Sequence, residues 1–117
     1  MAHGEIDLQR AKPPARPERR AASVCALMRA QAKPGRADQF EALLADFAFQ
    51  VRAAERGCTS YVVTRLLGSD THFAVHARFA GWHSFQRHAL TAHMKRALPR
   101  LTALLATPIS LEIFLEA

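Results

Sequence analysis

Along residues 23–116 the spacing of apolar side chains switches between a period of two and a period of 3.6, and the order of the switches leaves few possible folds. Residues 23–32 (SVCALMRAQA) alternate, with Val24, Ala26, Met28 and Ala30 on one side and Cys25, Leu27, Arg29 and Gln31 on the other. Both sides begin apolar, as a central strand covered on two faces requires. Lys33-Pro34-Gly35 ends this strand, because proline cannot donate to a sheet ladder. Residues 36–55 then place Phe40, Leu43, Leu44, Phe47 and Val51 on one helical stripe. Asp38 and Glu41 near its start and Arg52 and Arg56 near its end suit the helix dipole, and Gly57 is expected to close it in a left-handed cap.

Residues 58–67 (CTSYVVTRLL), rich in β-branched and aromatic side chains, read as a second strand, and Gly68-Ser69-Asp70 turns the chain into a third over residues 72–79. Gly81 opens a short helix with Trp82, Phe85 and Ala89 on one stripe. Thr91 is the expected N-cap of a second helical run carrying Met94, Ala97, Leu98, Leu101, Leu104 and Leu105. Pro99 lies inside that run and predicts a break or kink at Leu98-Pro99, since an interior proline costs about 3 kcal/mol. Ile109, Leu111, Ile113 and Leu115 alternate with Ser110, Glu112, Phe114 and Glu116 as a fourth strand. The order β-α-β-β-α-β predicts an α+β, ferredoxin-like sandwich with a four-stranded antiparallel sheet. Helices cover one face of such a sheet, so the other offers an apolar patch that a second copy would bury, and a homodimer is expected.

At 117 residues, half of them apolar, the chain is one domain with a core large enough to fold. Residues 1–22 hold Pro13, Pro14 and Pro17 among arginines and read as a basic, mobile extension ahead of a domain over 23–117. The net charge of +6 does not imply nucleic acid as a partner. Five basic against three acidic residues in 1–22 account for +2 of it, and the remaining cations are scattered with few interleaved aromatics. A rim that attracts an anionic or acidic phenolic ligand is the better use of this charge. No apolar run approaches the roughly 18 residues that would span a bilayer, and the first residues contain no apolar signal segment. Cys25 and Cys58 stand singly without metal-like spacing, so reduced thiols in a cytoplasmic protein are expected.

The stretch over residues 71–107 is the expected wall of any chemical site: it holds Arg78, Arg87, Lys95, Arg96 and Arg100, and no acid occurs between Asp70 and Glu112. Its segment His88-Ala89-Leu90-Thr91-Ala92-His93-Met94-Lys95 completes a set of matches with Lys33-Pro34-Gly35, Ala37-Asp38-Gln39-Phe40-Glu41 and Gly57-Cys58 leading to Tyr61. Together these resemble antibiotic biosynthesis monooxygenase domains, dimeric α/β barrels that include quinol monooxygenase-like proteins, over roughly residues 23–116. The resemblance implies a pocket between sheet and helices in each protomer. It also implies, for some members, oxidation of phenolic or quinol-like substrates by O2 without metal, flavin or haem; other members degrade haem, turn over signal molecules or have no known catalysis. Many members end the third strand in Glu-x-Trp, where this chain has Ala77 and Phe79. The positions matching the haem-degrading triad appear as Met28, His88 and Leu98, so that activity is not expected.

A cofactor-free oxygenase needs an electron-rich substrate and a base to ionise it, and histidine suits that proton transfer near neutral pH. His88, at the end of a short helix, and His93, in the first turn of the next, are the candidate pair, one as base and one as cationic anchor. The alternative is that both are structural, bonding backbone at the turn between the helices or at a dimer contact. Tyr61 could orient a substrate through its hydroxyl or simply pack in the core. Phe79 and Trp82 could clamp an aromatic ligand or belong to the core with Phe73 and Phe85. His76 could face the pocket or the dimer interface, whereas His72 and His83 read as surface residues. Arg29 and Arg78, on central strands, could bind an anionic group or pair with Glu112. The function expected is thus a cofactor-independent monooxygenase acting on a phenolic or quinol-type small molecule, with no metal ligands assigned. The rival is a non-catalytic barrel that binds a metabolite or partner protein.

Overall fold

The computed structural model describes Pro13 and residues 21–117, so most of the expected basic extension lies outside the described residues. The elements run β1 (Val24–Gln31), α1 (Ala37–Ala54), β2 (Cys58–Arg65), β3 (His72–Phe79), α2 (Trp82–His88), α3 (Ala92–Thr102) and β4 (Ser110–Leu115). All pairings are antiparallel in the order β2-β3-β1-β4, the ferredoxin-like arrangement that the periodicities imply. Among the described residues, no helix is long and apolar enough to cross a membrane.

Period two sorts the sheet into two faces. Val24, Ala26 and Ala30 of β1 and Phe73, Val75, Ala77 and Phe79 of β3 are buried beneath the helices. The α1 stripe settles on them through Phe40, Leu44, Phe47, Ala48 and Val51, with Phe40 packed at 5.2 Å on Phe73. Phe40, Phe79, Phe85, Leu44, Val24 and Val51 are sealed from solvent, each stabilising the fold by about 1.5–3 kcal/mol. Leu43, at the edge of the stripe, is half-buried.

Two local expectations are corrected. Gly57 does not adopt a left-handed cap: positive φ occurs at Gly35 and Gly68 instead. What requires glycine at 57 is proximity, because an added Cβ would lie 2.2 Å from Ser84 Oγ and 2.5 Å from Ser84 Cβ. Gly57→Ala is therefore expected to destabilise by about 1–3 kcal/mol, read as a lowered urea midpoint at unchanged slope. Pro99, in turn, does not interrupt α3, which continues through it to Thr102. The proline removes only the amide that would have bonded Lys95, and the chain beyond closes with tight bonds from Leu104 to Leu101 and Leu105 to Thr102. So near the end of a helix, little remained to be lost.

Candidate active site: a buried carboxylate between two histidines

The turn after α1 sets the site. Helical geometry ends at Glu55, whose backbone is extended (φ −103°, ψ 98°). Gly57 then lies against Ser84 of α2, and its carbonyl accepts the Ala80 amide at 2.7 Å. This brings the Glu55 side chain to the junction of α2 and α3. Thr91 fixes that junction: its hydroxyl donates to the His88 carbonyl (3.0 Å) and accepts the Met94 amide (3.2 Å), capping α3 as the sequence implies.

Glu55 is the residue that the sequence reading missed. Its carboxylate meets His88 Nδ1 at 2.9 Å through Oε1 and 3.0 Å through Oε2, and His93 Nε2 at 2.5 Å through Oε2. All three side chains are about nine-tenths buried. The helix ends expected to divide the roles of the two histidines are secondary to this shared partner. Burial pushes the Glu55 carboxyl up, but the hydrogen bonds from His88 and His93 and their charges outweigh it and hold it below its ordinary value of 4.5. A carboxyl lowered by folding stabilises the native state above its unfolded pKa and loses that contribution as pH falls through the folded value. Acid denaturation below about pH 4.5 is thus expected to be steeper for the native chain than for Glu55→Gln, as followed by urea midpoints across that range.

His88 also lines an apolar cavity of about 70 Å³ between the sheet and the helices. Tyr61, Phe79 and Phe47 surround its ring at centroid distances of 5.8, 5.1 and 5.8 Å. Nδ1 is engaged by Glu55, so Nε2 is the nitrogen free for a guest; no described residue hydrogen-bonds it. The half-buried lining residues are Met94 and Leu98 of α3, Leu111 of β4 with Ile109 just before it, and Met28, the β1 partner of Leu111, and the cavity approaches solvent beside them. Burial, and then the charges of Cys58 and Glu55, push the Tyr61 phenol well up, so it remains a neutral donor. Burial also pushes the Cys58 thiol up to about 11, which makes it a poor nucleophile at neutral pH.

The other singled-out residues lie apart. His93 does not line the cavity but borders a separate polar pocket with Glu55, Arg56 and Arg87. Trp82 is buried beside Phe85 outside the cavity lining, its indole nitrogen without a hydrogen-bond partner among the described residues. Arg29, Arg78 and His76 sit on the open sheet face: Arg29 pairs with Glu112 at 2.5 Å, Arg78 pairs with Glu116, and His76 Nε2 lies 3.1 Å from Thr64 Oγ1. The cross-strand Arg29–Glu112 pair matches one of the alternatives read from the sequence. Both side chains are about half-exposed, so the pair contributes little stability. His72 and His83 are exposed, as expected of surface residues. Among the described residues no three His, Cys, Asp or Glu side chains are arranged to hold a metal ion.

An antiparallel ferredoxin-like sheet with an apolar cavity under its helices, its wall broken by the His88 imidazole and the Tyr61 phenol, defines a class of small α+β domains. The sequence pattern of the antibiotic biosynthesis monooxygenase family matches residues 23–100, and the chain belongs to that family. No functionally curated protein matches the sequence. Among solved structures, one from Caulobacter crescentus, described as a candidate antibiotic biosynthesis monooxygenase, superposes with a TM-score of 0.80 at 22% identity, covering 84% of this chain and 92% of its own. Rv0793 from Mycobacterium tuberculosis gives 0.76 at 20% identity, covering 82% and 96%. A Deinococcus radiodurans protein of the same description as the first gives 0.73 at 23%, covering 80% and 91%. At such identities the likeness speaks for the fold.

Proposed function

We propose that the chain is a cofactor-independent monooxygenase in which His88 ionises a phenolic or quinol-type substrate held in the apolar cavity. The observation that carries this reading is one imidazole with Nδ1 held by a buried carboxylate and its other nitrogen left for a guest in an apolar, aromatic-walled space. A phenol placed there gives its proton to Nε2, and the phenolate supplies electrons to O2. A phenol and O2 yield a quinone and water, so atoms and electrons balance without an external reductant. Tyr61, neutral in the same wall, is suited to orient a substrate oxygen. Glu55, at the end of α1 and outside the cavity lining, supplies the carboxylate that holds His88 from behind.

Size narrows the ligand class. The enclosed space of about 70 Å³ is roughly half of the ~150 Å³ cavity that takes up benzene, so a single ring is the largest group it admits, and part of that ring with its substituents extends out past α3 and β4. Calorimetric titration of metal-stripped protein with hydroquinone and substituted monocyclic phenols tests this placement. Ala77→Leu, which puts a larger side chain into the cavity, is expected to weaken binding at least tenfold; equal binding would place the ligand elsewhere.

The assembly we propose is a homodimer. The open sheet face carries half-exposed Val62 and Phe114, which a second copy would cover. The free thiols Cys25 and Cys58 suit a cytoplasmic setting.

A further inference from the structure

The carboxylate and its two histidines form the partition between two spaces of opposite character. His88 lines the apolar cavity, which neither Glu55 nor His93 reaches. Glu55 and His93 line a polar pocket of about 450 Å³ on the other side, bordered by Arg56, Arg87, Ser84 and Thr91, which His88 does not reach. One oxygen, Glu55 Oε2, is within hydrogen-bonding distance of both rings, 3.0 Å from His88 Nδ1 and 2.5 Å from His93 Nε2. If Glu55 served only to orient His88, a single bond to Nδ1 would suffice. If the cavity is closed over an apolar ring, a proton taken up by His88 has no water on its own side to go to.

We propose that Glu55 and His93 carry protons across this partition, so that a proton taken by His88 in the cavity is released into the polar pocket. The Nε2–H bond of His88 forms as the substrate O–H bond breaks. His88 Nδ1–H passes to Glu55 Oε1 as the hydrogen shared by Glu55 Oε2 and His93 Nε2 settles on Nε2. His93 Nδ1–H leaves to water or a buffer base. One proton enters and one leaves, and the net charge of the buried group does not change. Arg56 and Arg87 suit the far pocket to anionic bases such as phosphate, which the apolar cavity excludes. Neither Glu55 nor His93 touches the substrate in this scheme; both act through His88.

The inference rests on His88 being the base of the cavity, and its test needs no substrate. In the full chain with 15N-labelled histidine, exchange of the His88 Nδ1 proton with water is followed by NMR at increasing inorganic phosphate. The expected rate rises in proportion to phosphate. His93→Phe and Glu55→Gln are expected to slow exchange at least tenfold and abolish the phosphate dependence. A signal too fast to observe in the native chain that returns in His93→Phe is the same result. Should those variants fail to fold, Arg87→Trp fills the polar pocket without altering the three side chains and is expected to cut the phosphate dependence at least fivefold. Exchange independent of phosphate in the native chain, or unchanged in His93→Phe or Arg87→Trp, would overturn the proposal. A chain that exchanges as expected but consumes no oxygen with any phenol loses its oxygenase reading and keeps this one.

Discussion

Glu55→Ala is expected to lower the stability of the chain by about 3 kcal/mol, the usual cost of removing one partner from a buried ion pair. The carboxylate satisfies two imidazole nitrogens at once, and truncation leaves both His88 Nδ1 and His93 Nε2 buried without an acceptor. The effect is read at pH 7 as a lowered urea midpoint with unchanged slope, which reports stability rather than compactness. Glu55→Gln, which keeps the volume and one acceptor oxygen, is expected to lose less. If the two variants prove equally destabilised, the carboxylate contributes by its charge rather than by its shape and hydrogen bonds.

The second large effect concerns chemistry. His88→Asn retains an N–H near the position of Nδ1, and so the bond to Glu55, while removing the nitrogen offered to the cavity. Turnover of a phenol accepted by the native chain is expected to fall by about 10²–10⁴-fold, the usual contribution of a positioned general base. Folding should be largely retained, because the Glu55 bond and the aromatic neighbours Phe47, Tyr61 and Phe79 remain. A comparable loss of activity with a collapsed melting transition would instead make His88 a structural residue.

The strands and α1 were legible because each buries one face against a continuous layer, and the period of the apolar residues follows directly from that. The Arg29–Glu112 pair could be anticipated because both residues lie on the polar side of their strands, opposite the core face. Glu55 was not, since it stands 33 residues before His88 and 38 before His93, and no local period joins them. A signal was nonetheless present. Glu55 is an acid at the negative end of a helix, where a carboxylate is disfavoured unless a cationic or hydrogen-donating partner is near. With no acid between Asp70 and Glu112, any acidic partner for His88 and His93 comes from outside their own stretch of the chain. Gly57 was misread because a glycine after a helix has two common reasons, a left-handed backbone or a close neighbour, and only packing shows which one applies.

Oxygen uptake by metal-stripped protein, supplied with monocyclic phenols and quinols, is the most direct test that the cavity beside His88 performs cofactor-free oxygenation. The native chain should consume O2 above the spontaneous rate with at least one such substrate, giving one quinone and one water per O2, and His88→Asn should return uptake to that spontaneous rate. Uptake that survives in His88→Asn, or that appears only when a metal or flavin is restored, would contradict it.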